Sequence, residues 1–167
     1  MLAAADIDRF YQSVSTVSFT LLGLWWVVVQ LKYKEGEGDP WRRRHAYGIA
    51  LFFLLPGVMG MLSAINSDLG ALWRTAFGVT AALGVVEIAL YLRSGDKRTK
   101  GALALRMCGL ALYLLIAAFA VRPLIASDLG LGLEPREVEA IFLGLLIVVG
   151  VNLAWFGITE SADTAGA

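Results

Sequence analysis

The chain has 167 residues, of which 58% are hydrophobic and 17% are charged, and its formal net charge at pH 7 is zero. Soluble domains contain about 45–50% apolar and about 25% charged residues, so this composition indicates a membrane protein. The neutral charge excludes the basic field of a nucleic-acid-binding protein. A single cysteine and a single histidine exclude an internal disulfide, a zinc cluster and bis-histidine haem ligation within one copy.

Five apolar stretches are each long enough to cross a bilayer, which requires about 20 residues per helix. They predict an all-α integral membrane protein with a single transmembrane domain over residues 1–167 and five transmembrane helices. Polar or basic loops join these helices. The predicted spans cover about residues 10–31, 46–65, 71–92, 103–124 and 138–158.

Lysine and arginine are distributed unequally between the two ends of the predicted bundle. Because cytoplasmic loops are enriched in positive charge, we expect the N-terminus outside and the C-terminus inside. The short loops suit a prokaryotic inner membrane. The acidic start MLAAADID lacks the basic region of a cleaved signal peptide, so we expect span one to be retained. The predicted cytoplasmic end carries Lys32, Lys34, Arg42, Arg43, Arg44, Arg93, Lys97, Arg98, Lys100 and Arg106, and the opposite end carries Arg9, Arg74, Arg122 and Arg136.

Polar and small residues recur every three or four positions along span one, which places them within an arc of about 100° on one helix face. Such a stripe can line a path for ions, where hydroxyls replace part of the hydration shell. It can also be a packing seam, because small residues let helices approach closely. The opposite face, with Val14, Val17 and Trp25, suits lipid. The stripe comprises Ser13, Thr16, Thr20, Gly23, Val27 and Gln30, and the candidate pore residues among these are Ser13, Thr16, Thr20 and Gln30.

Two features mark span two and the segment before it. The basic run WRRRHAYG, residues 41–48, is expected at the cytoplasmic surface, where it attracts anionic lipid headgroups. His45 is a candidate pH sensor because imidazole changes charge near neutral pH, and an ordinary interfacial histidine is the alternative. Pro56 frees the carbonyl of Phe52, so we expect a kink there. Pro56 and Gly57 are therefore hinge candidates, unless the kink only shapes the packing.

Glu87 is the most informative residue of span three. It lies about six residues, or roughly 9 Å of helical rise, inside the cytoplasmic end that Arg93 marks. A carboxylate at membrane depth is costly and usually faces a cavity, a partner or a permeation path. Its side chain could instead extend towards Arg93 or Lys97 at the surface.

Spans two and three resemble spans four and five, which suggests a duplicated two-helix hairpin. GIALFFLL from Gly48 matches GLALYLLI from Gly109, and AINSDLG matches LIASDLG, ending at Gly70 and Gly130. Parallel repeats of this kind occur among transporters. The alternative is that Leu, Ala and Gly dominate both segments and produce similarity by composition alone.

The repeat aligns Asn152 of span five with Glu87, and Gln30 takes the corresponding place in span one. We expect these three side chains to meet, since each needs a hydrogen-bond partner where water is absent. Such a cluster could be a cation or proton site, with Glu87 as the charge, or a structural hydrogen-bond knot. A second set of charges surrounds the long outer loop and forms either a vestibule or a solvated surface: Arg122, Asp128, Glu134, Arg136, Glu137 and Glu139.

These features predict an ion channel or small passive transporter, with a cation favoured over an anion. It would work as a homo-oligomer in which span one lines the path. The alternative is a non-transporting membrane subunit, a sensor or an assembly protein, that docks a partner through its basic cytoplasmic loops. No GxSxG, HExxH, P-loop or GxGxxG motif occurs in a suitable context, so no enzyme is predicted. The expected partners are membrane lipid, further copies of the chain and the transported ion, without a cofactor, a metal site or nucleic acid.

Overall fold

The computed structural model describes residues 4–33, 40–65, 70–93, 100–122 and 133–165. Five helices account for nearly all of these residues, and no strand occurs within the described ranges. The all-helical prediction is therefore confirmed for this part of the chain. The helices are α1 (Ala4–Tyr33), α2 (Pro40–Ile65), α3 (Gly70–Arg93), α4 (Lys100–Val121) and α5 (Pro135–Ala165).

Each of the five helices is long and apolar enough to cross a membrane. This confirms five apolar helices of spanning length, and it supports a multi-pass membrane protein. The membrane orientation and the internal duplication stay predictions. We call the end of the bundle where α2 and α4 begin the inner end, and the opposite end the outer end. The spanning segments are Asp6–Leu31, Arg43–Ala64, Arg74–Arg93, Lys100–Val121 and Pro135–Thr159.

Neighbouring helices in the chain pack against each other, and α5 closes the bundle. α1 packs on α2, α2 on α3 and α3 on α4, while α5 lies against α2, α4 and, less extensively, α1. In consequence α2 is the central helix: 67% of its spanning window is buried, against 22% for α1. α1 is therefore a peripheral helix with a broad outward surface.

Large aromatic and aliphatic side chains fill the middle of the bundle. Phe52, Phe53 and Tyr113 are almost completely buried there. Two glycines let the helices approach, because a Cβ on Gly109 would lie 2.5 Å from the Phe52 ring and one on Gly84 would lie 2.6 Å from Tyr113. Further residues with at most 1% exposure complete this core: Met59, Phe77, Ile88, Ile116, Leu143, Leu146 and Leu153.

The hinge candidates lie in the packed part of α2. The helix is continuous from Pro40 to Ile65 and contains Pro56, which is buried. Gly57 faces α1, since a Cβ at this position would lie 3.2 Å from Ser18 and 3.2 Å from Phe19. Bending at Pro56 would therefore have to move α1 as well, and the hinge role stays a prediction.

Candidate functional site

The hydroxyls of the α1 stripe are satisfied within their own helix. Ser13 donates to the carbonyl of Arg9 at 2.9 Å, and Thr16 and Thr20 each donate to the carbonyl four residues earlier, at 2.9 Å and 2.8 Å. All three side chains are exposed on the outside of the bundle. A hydroxyl bonded back to the preceding turn can face an apolar medium without an unsatisfied donor. The stripe therefore faces away from the core of a single copy.

The face of α1 that was expected to meet lipid is largely the packed one. Val14 and Trp25 are buried, and the Trp25 indole donates to the carbonyl of Ala46 on α2 at 2.9 Å, whereas Val17 is exposed. The prediction is thus wrong for Val14 and Trp25. Bulky side chains fill the groove against α2, while the small polar residues, whose hydrogen bonds are already made, stay outside.

The structure does not bring Gln30, Glu87 and Asn152 together. Gln30 and Asn152 are exposed on the surface of the bundle, and the Asn152 amide donates to the carbonyl of Val148 in its own helix at 2.8 Å. In contrast, Oε1 of Glu87 is buried inside the bundle. The predicted three-residue cluster is therefore absent from a single copy. The Asn152 amide donates within its own helix, and the Gln30 side chain lies on the surface.

Glu87 instead faces a buried arginine across a glycine of α2. A Cβ on Gly48 would lie 3.0 Å from Oε1 of Glu87 and 3.4 Å from Nη1 of Arg106. The space left by this glycine thus admits a carboxylate from α3 and a guanidinium from α4. Arg106 has no exposed surface, although it lies in an apolar spanning helix.

Aromatic and imidazole rings complete this arrangement. The Arg106 guanidinium carbon lies 3.5 Å from the centroid of the Tyr91 ring, a stacking geometry that favours a desolvated cation. The His45 ring lies 5.8 Å from the same tyrosine, centroid to centroid. We call His45, Glu87, Tyr91 and Arg106 the inner cluster. It contains one fixed cation, one carboxylate, one phenol and one imidazole.

The inner cluster also contacts the last helix. A Cβ on Gly157 of α5 would lie 3.6 Å from Nε2 of His45 and 3.6 Å from the Trp25 ring of α1. His45 is half-buried and lies near the start of the spanning segment Arg43–Ala64. Residues from all five helices therefore lie in or beside the cluster.

Sequence reasoning identified Glu87 and His45 and missed Arg106 and Tyr91. Arg106 was counted with the surface charges that orient the chain. Its depth was a usable signal, since it follows Lys100 by the same six residues that separate Glu87 from Arg93. Because α3 and α4 are antiparallel neighbours, equal depths place the two charges at one level of the bundle.

Of the charges expected to form an outer vestibule, Arg136 and Glu137 hold helix ends. Arg136 pairs with Asp8 of α1 at 2.8 Å. Arg74 donates to the last carbonyls of α4, those of Ala120 and Val121, both at 2.8 Å. Glu137 caps α5 by accepting the backbone N–H of Glu134 at 2.9 Å. Glu139 is completely buried, Arg122 and Glu134 are exposed, and Asp128 lies outside the described residues.

Among the described residues, no group of three or more His, Cys, Asp and Glu side chains is arranged to hold a metal ion.

Comparison with protein-family models, with curated proteins and with solved structures gives no match. The chemistry of the inner cluster is therefore the basis on which a function can be assigned.

Proposed function

We propose that the protein is a passive cation transporter of the membrane and that its principal cation is the proton. The observation that carries this proposal is the convergence of Glu87 and the fully buried Arg106 on Gly48, beside His45. Ionisable side chains inside a spanning helix are costly, and they commonly mark ion pathways and proton relays.

A proton fits this cluster better than a metal cation does. Metal cations such as Na⁺ or Ca²⁺ need several oxygen ligands, whereas a proton needs a single acceptor. The permanent charge of Arg106 beside Glu87 opposes the binding of a second cation, and it opposes a divalent ion most strongly. A proton bound by Glu87 neutralises the carboxylate and leaves Arg106 as the charge that remains in the cluster.

We propose further that several copies assemble with their α1 stripes facing one another. The exposed hydroxyls of Ser13, Thr16 and Thr20 would then line the route to the inner cluster, and Gln30 would lie at its inner end. Gly23 supports a contact between copies because no atom of another helix lies within 4 Å of a Cβ built there. This arrangement keeps the predicted homo-oligomer and keeps Glu87 as the charged group of the site, with His45 and Arg106 beside it in place of Gln30 and Asn152.

A second candidate function is a docking subunit without transport. It is favoured by the exposed basic side chains at the inner end, where Arg43, Arg44, Arg93 and Lys100 are all accessible. Such a surface suits an acidic cytoplasmic partner. In that case the inner cluster would only fix the positions of α2, α3 and α4.

Ion flux distinguishes these two functions. The purified protein is reconstituted in liposomes, and flux is recorded under separate H⁺, K⁺, Na⁺ and Cl⁻ gradients. We expect proton flux above that of empty liposomes and little flux of the other ions. A protein that is inserted and folded but carries no ion under any gradient would support the docking subunit instead.

A further inference from the structure

Glu139 is a second buried carboxyl group, and it lies far from the inner cluster. Its side chain has no exposed surface, and neither carboxylate oxygen has a hydrogen-bond partner among the described residues. It lies within the spanning segment of α5, where an uncompensated negative charge is costly. The nearby N-terminus of α5 lowers that cost only partly.

Glu139 belongs to the face of α5 that packs on α2. Spacings of three and four residues place it on one stripe with Leu143, Leu146, Gly150 and Leu153, all of which are buried. Gly150 identifies the neighbour, because a Cβ on it would lie 2.9 Å from Cβ of Phe52 in α2. The carboxyl group therefore lies on the stripe that faces the central helix.

The antiparallel register brings Ser63 of α2 to the same level. The interval in sequence from Phe52 to Ser63 equals the interval from Glu139 to Gly150. Because the two helices run antiparallel and both advance about 1.5 Å per residue, Ser63 and Glu139 lie at the same level of the bundle. The same spacing rule puts Ser63 on the face of α2 that carries Phe52. Its hydroxyl is also buried without a hydrogen-bond partner among the described residues. Two unsatisfied polar groups thus lie at the outer end of one seam.

Few other ionisable groups lie at this level. On α5 itself, Arg136 is one turn away and is paired with Asp8 of α1. The outer half of α2, residues 52–64, contains no ionisable side chain, and α4 ends at the exposed Arg122. The other carboxylates described nearby already have partners, since Asp8 pairs with Arg136 and Glu137 accepts the backbone N–H of Glu134.

We propose that Glu139 is the outer proton-binding site of the protein, with the Ser63 hydroxyl beside it. The carboxylate takes a proton from hydronium on the outer side, a water molecule is released, and the side chain becomes neutral. This proposal rests on the proposed function, since it assigns Glu139 to the same proton path as the inner cluster.

The two sites are separated by an apolar seam. From Glu139 to Gly157, which contacts His45, α5 rises about 27 Å, and the α2-facing residues between them are Leu143, Leu146, Gly150 and Leu153. A direct proton transfer over this distance is excluded, so water must enter the α2–α5 seam during transport. The seam would otherwise keep the two proton sites apart.

Infrared difference spectroscopy on the reconstituted full chain tests the outer site. Spectra are compared as the pH is raised from about 6 to about 10, a range in which a buried carboxyl group that exchanges protons converts from acid to carboxylate. We expect a carboxylic-acid C=O band that loses intensity as the pH rises and that is absent in Glu139→Gln. Glu139→Asp keeps a carboxyl group and should keep a band, which separates loss of the group from misfolding. Glu134→Gln, at an exposed position, should leave the band unchanged.

Proton flux measured on the same liposomes separates this proposal from the proposed function. If the wild type carries protons, Glu139→Gln should reduce its flux to that of empty liposomes. A wild type that carries protons without any band assigned to Glu139 would overturn the outer site alone. If the wild type shows the Glu139 band but no proton flux, Glu139 binds a proton but does not belong to a transport path. Unchanged flux in a folded Glu139→Gln variant would also overturn that place.

Discussion

At the scale of single residues, the main finding is how a buried arginine is accommodated in a spanning helix. Arg106 is stacked on Tyr91 and lies beside Glu87, while Gly48 leaves the room for both charged groups. A guanidinium that loses its neighbouring carboxylate in a low-dielectric core is strongly destabilised. The charges of Glu87 and Arg106 should therefore be energetically coupled.

A double-mutant cycle measures this coupling. Arg106→Met removes the cation and leaves Glu87 buried with an uncompensated charge, so we expect a loss of about 3–5 kcal/mol in unfolding free energy. Adding Glu87→Gln should restore part of that loss. Arg93→Met is the matched control, because Arg93 is exposed and should cost little. Strictly additive effects in unfolding experiments in detergent would contradict the coupling.

Glycine contacts in the core give a second prediction at this scale. A Cβ on Gly109 would lie 2.5 Å from the buried Phe52 ring, so Gly109→Ala should destabilise the protein by about 1–3 kcal/mol through overpacking. At Gly78 nothing lies within 4 Å of a Cβ. Gly78→Ala should therefore be neutral or stabilise the helix by up to about 1 kcal/mol. Thermal unfolding of the two variants provides the comparison, and an equal effect would contradict the packing described for Gly109.

At the scale of helices, α1 is held to the bundle by few polar contacts. Tyr11 donates to the carbonyl of Arg136 at 2.9 Å, and the Arg136–Asp8 pair connects the first and last helices at the outer end. The side chains of this pair are 21% and 33% exposed, so solvent screens their attraction. Most of the attachment must therefore come from the packing of buried α1 side chains such as Tyr11, Val14 and Trp25.

The ion pair should accordingly contribute little to stability. We expect Asp8→Asn to cost less than about 1 kcal/mol in unfolding free energy and to cost less still at high salt. Asp6→Asn is the control, since the Asp6–Arg9 contact is 4.0 Å long and more exposed. That substitution should have no measurable effect. A cost of several kcal/mol for Asp8→Asn would show that the pair holds α1 far more strongly than its exposure indicates.

Cysteine accessibility tests which side of α1 meets water in the assembled protein. In a Cys108→Ser background, Thr20→Cys should react with a water-soluble thiol reagent if the stripe lines a path. Val17→Cys is the control, because it is also exposed but lies on another face of the same helix. We expect Thr20→Cys to react faster than Val17→Cys in liposomes. Equal protection of both positions would show that the stripe is a dry seam or a lipid-facing surface.

At the scale of the whole molecule, the sequence was sufficient to predict five spanning helices but insufficient to orient their faces. Length and hydropathy predict the spans because each bilayer crossing requires a long apolar helix. In lipid, however, both the outward and the inward face of a helix are apolar, so periodicity does not identify the packed side. This is why Val14 and Trp25 of α1 were assigned to lipid although they are buried.

The candidate site was predictable only where a charge lies deep in a span. Glu87 was identified because its carboxylate cannot be left in lipid, and the same depth argument would have identified Arg106. Gln30 and Asn152 were misplaced because an amide can reach the surface or bond to its own helix, as Asn152 does. Their side-chain directions depend on packing that the spacing of polar residues does not contain.

The central claim is that protons cross the membrane through the inner cluster. The most direct measurement is proton flux into liposomes that contain the wild type, Glu87→Gln or the control variant Glu134→Gln, at equal and verified protein insertion. We expect proton flux for the wild type and for Glu134→Gln and no flux above that of empty liposomes for Glu87→Gln. Proton flux that persists unchanged in a folded Glu87→Gln variant would contradict it.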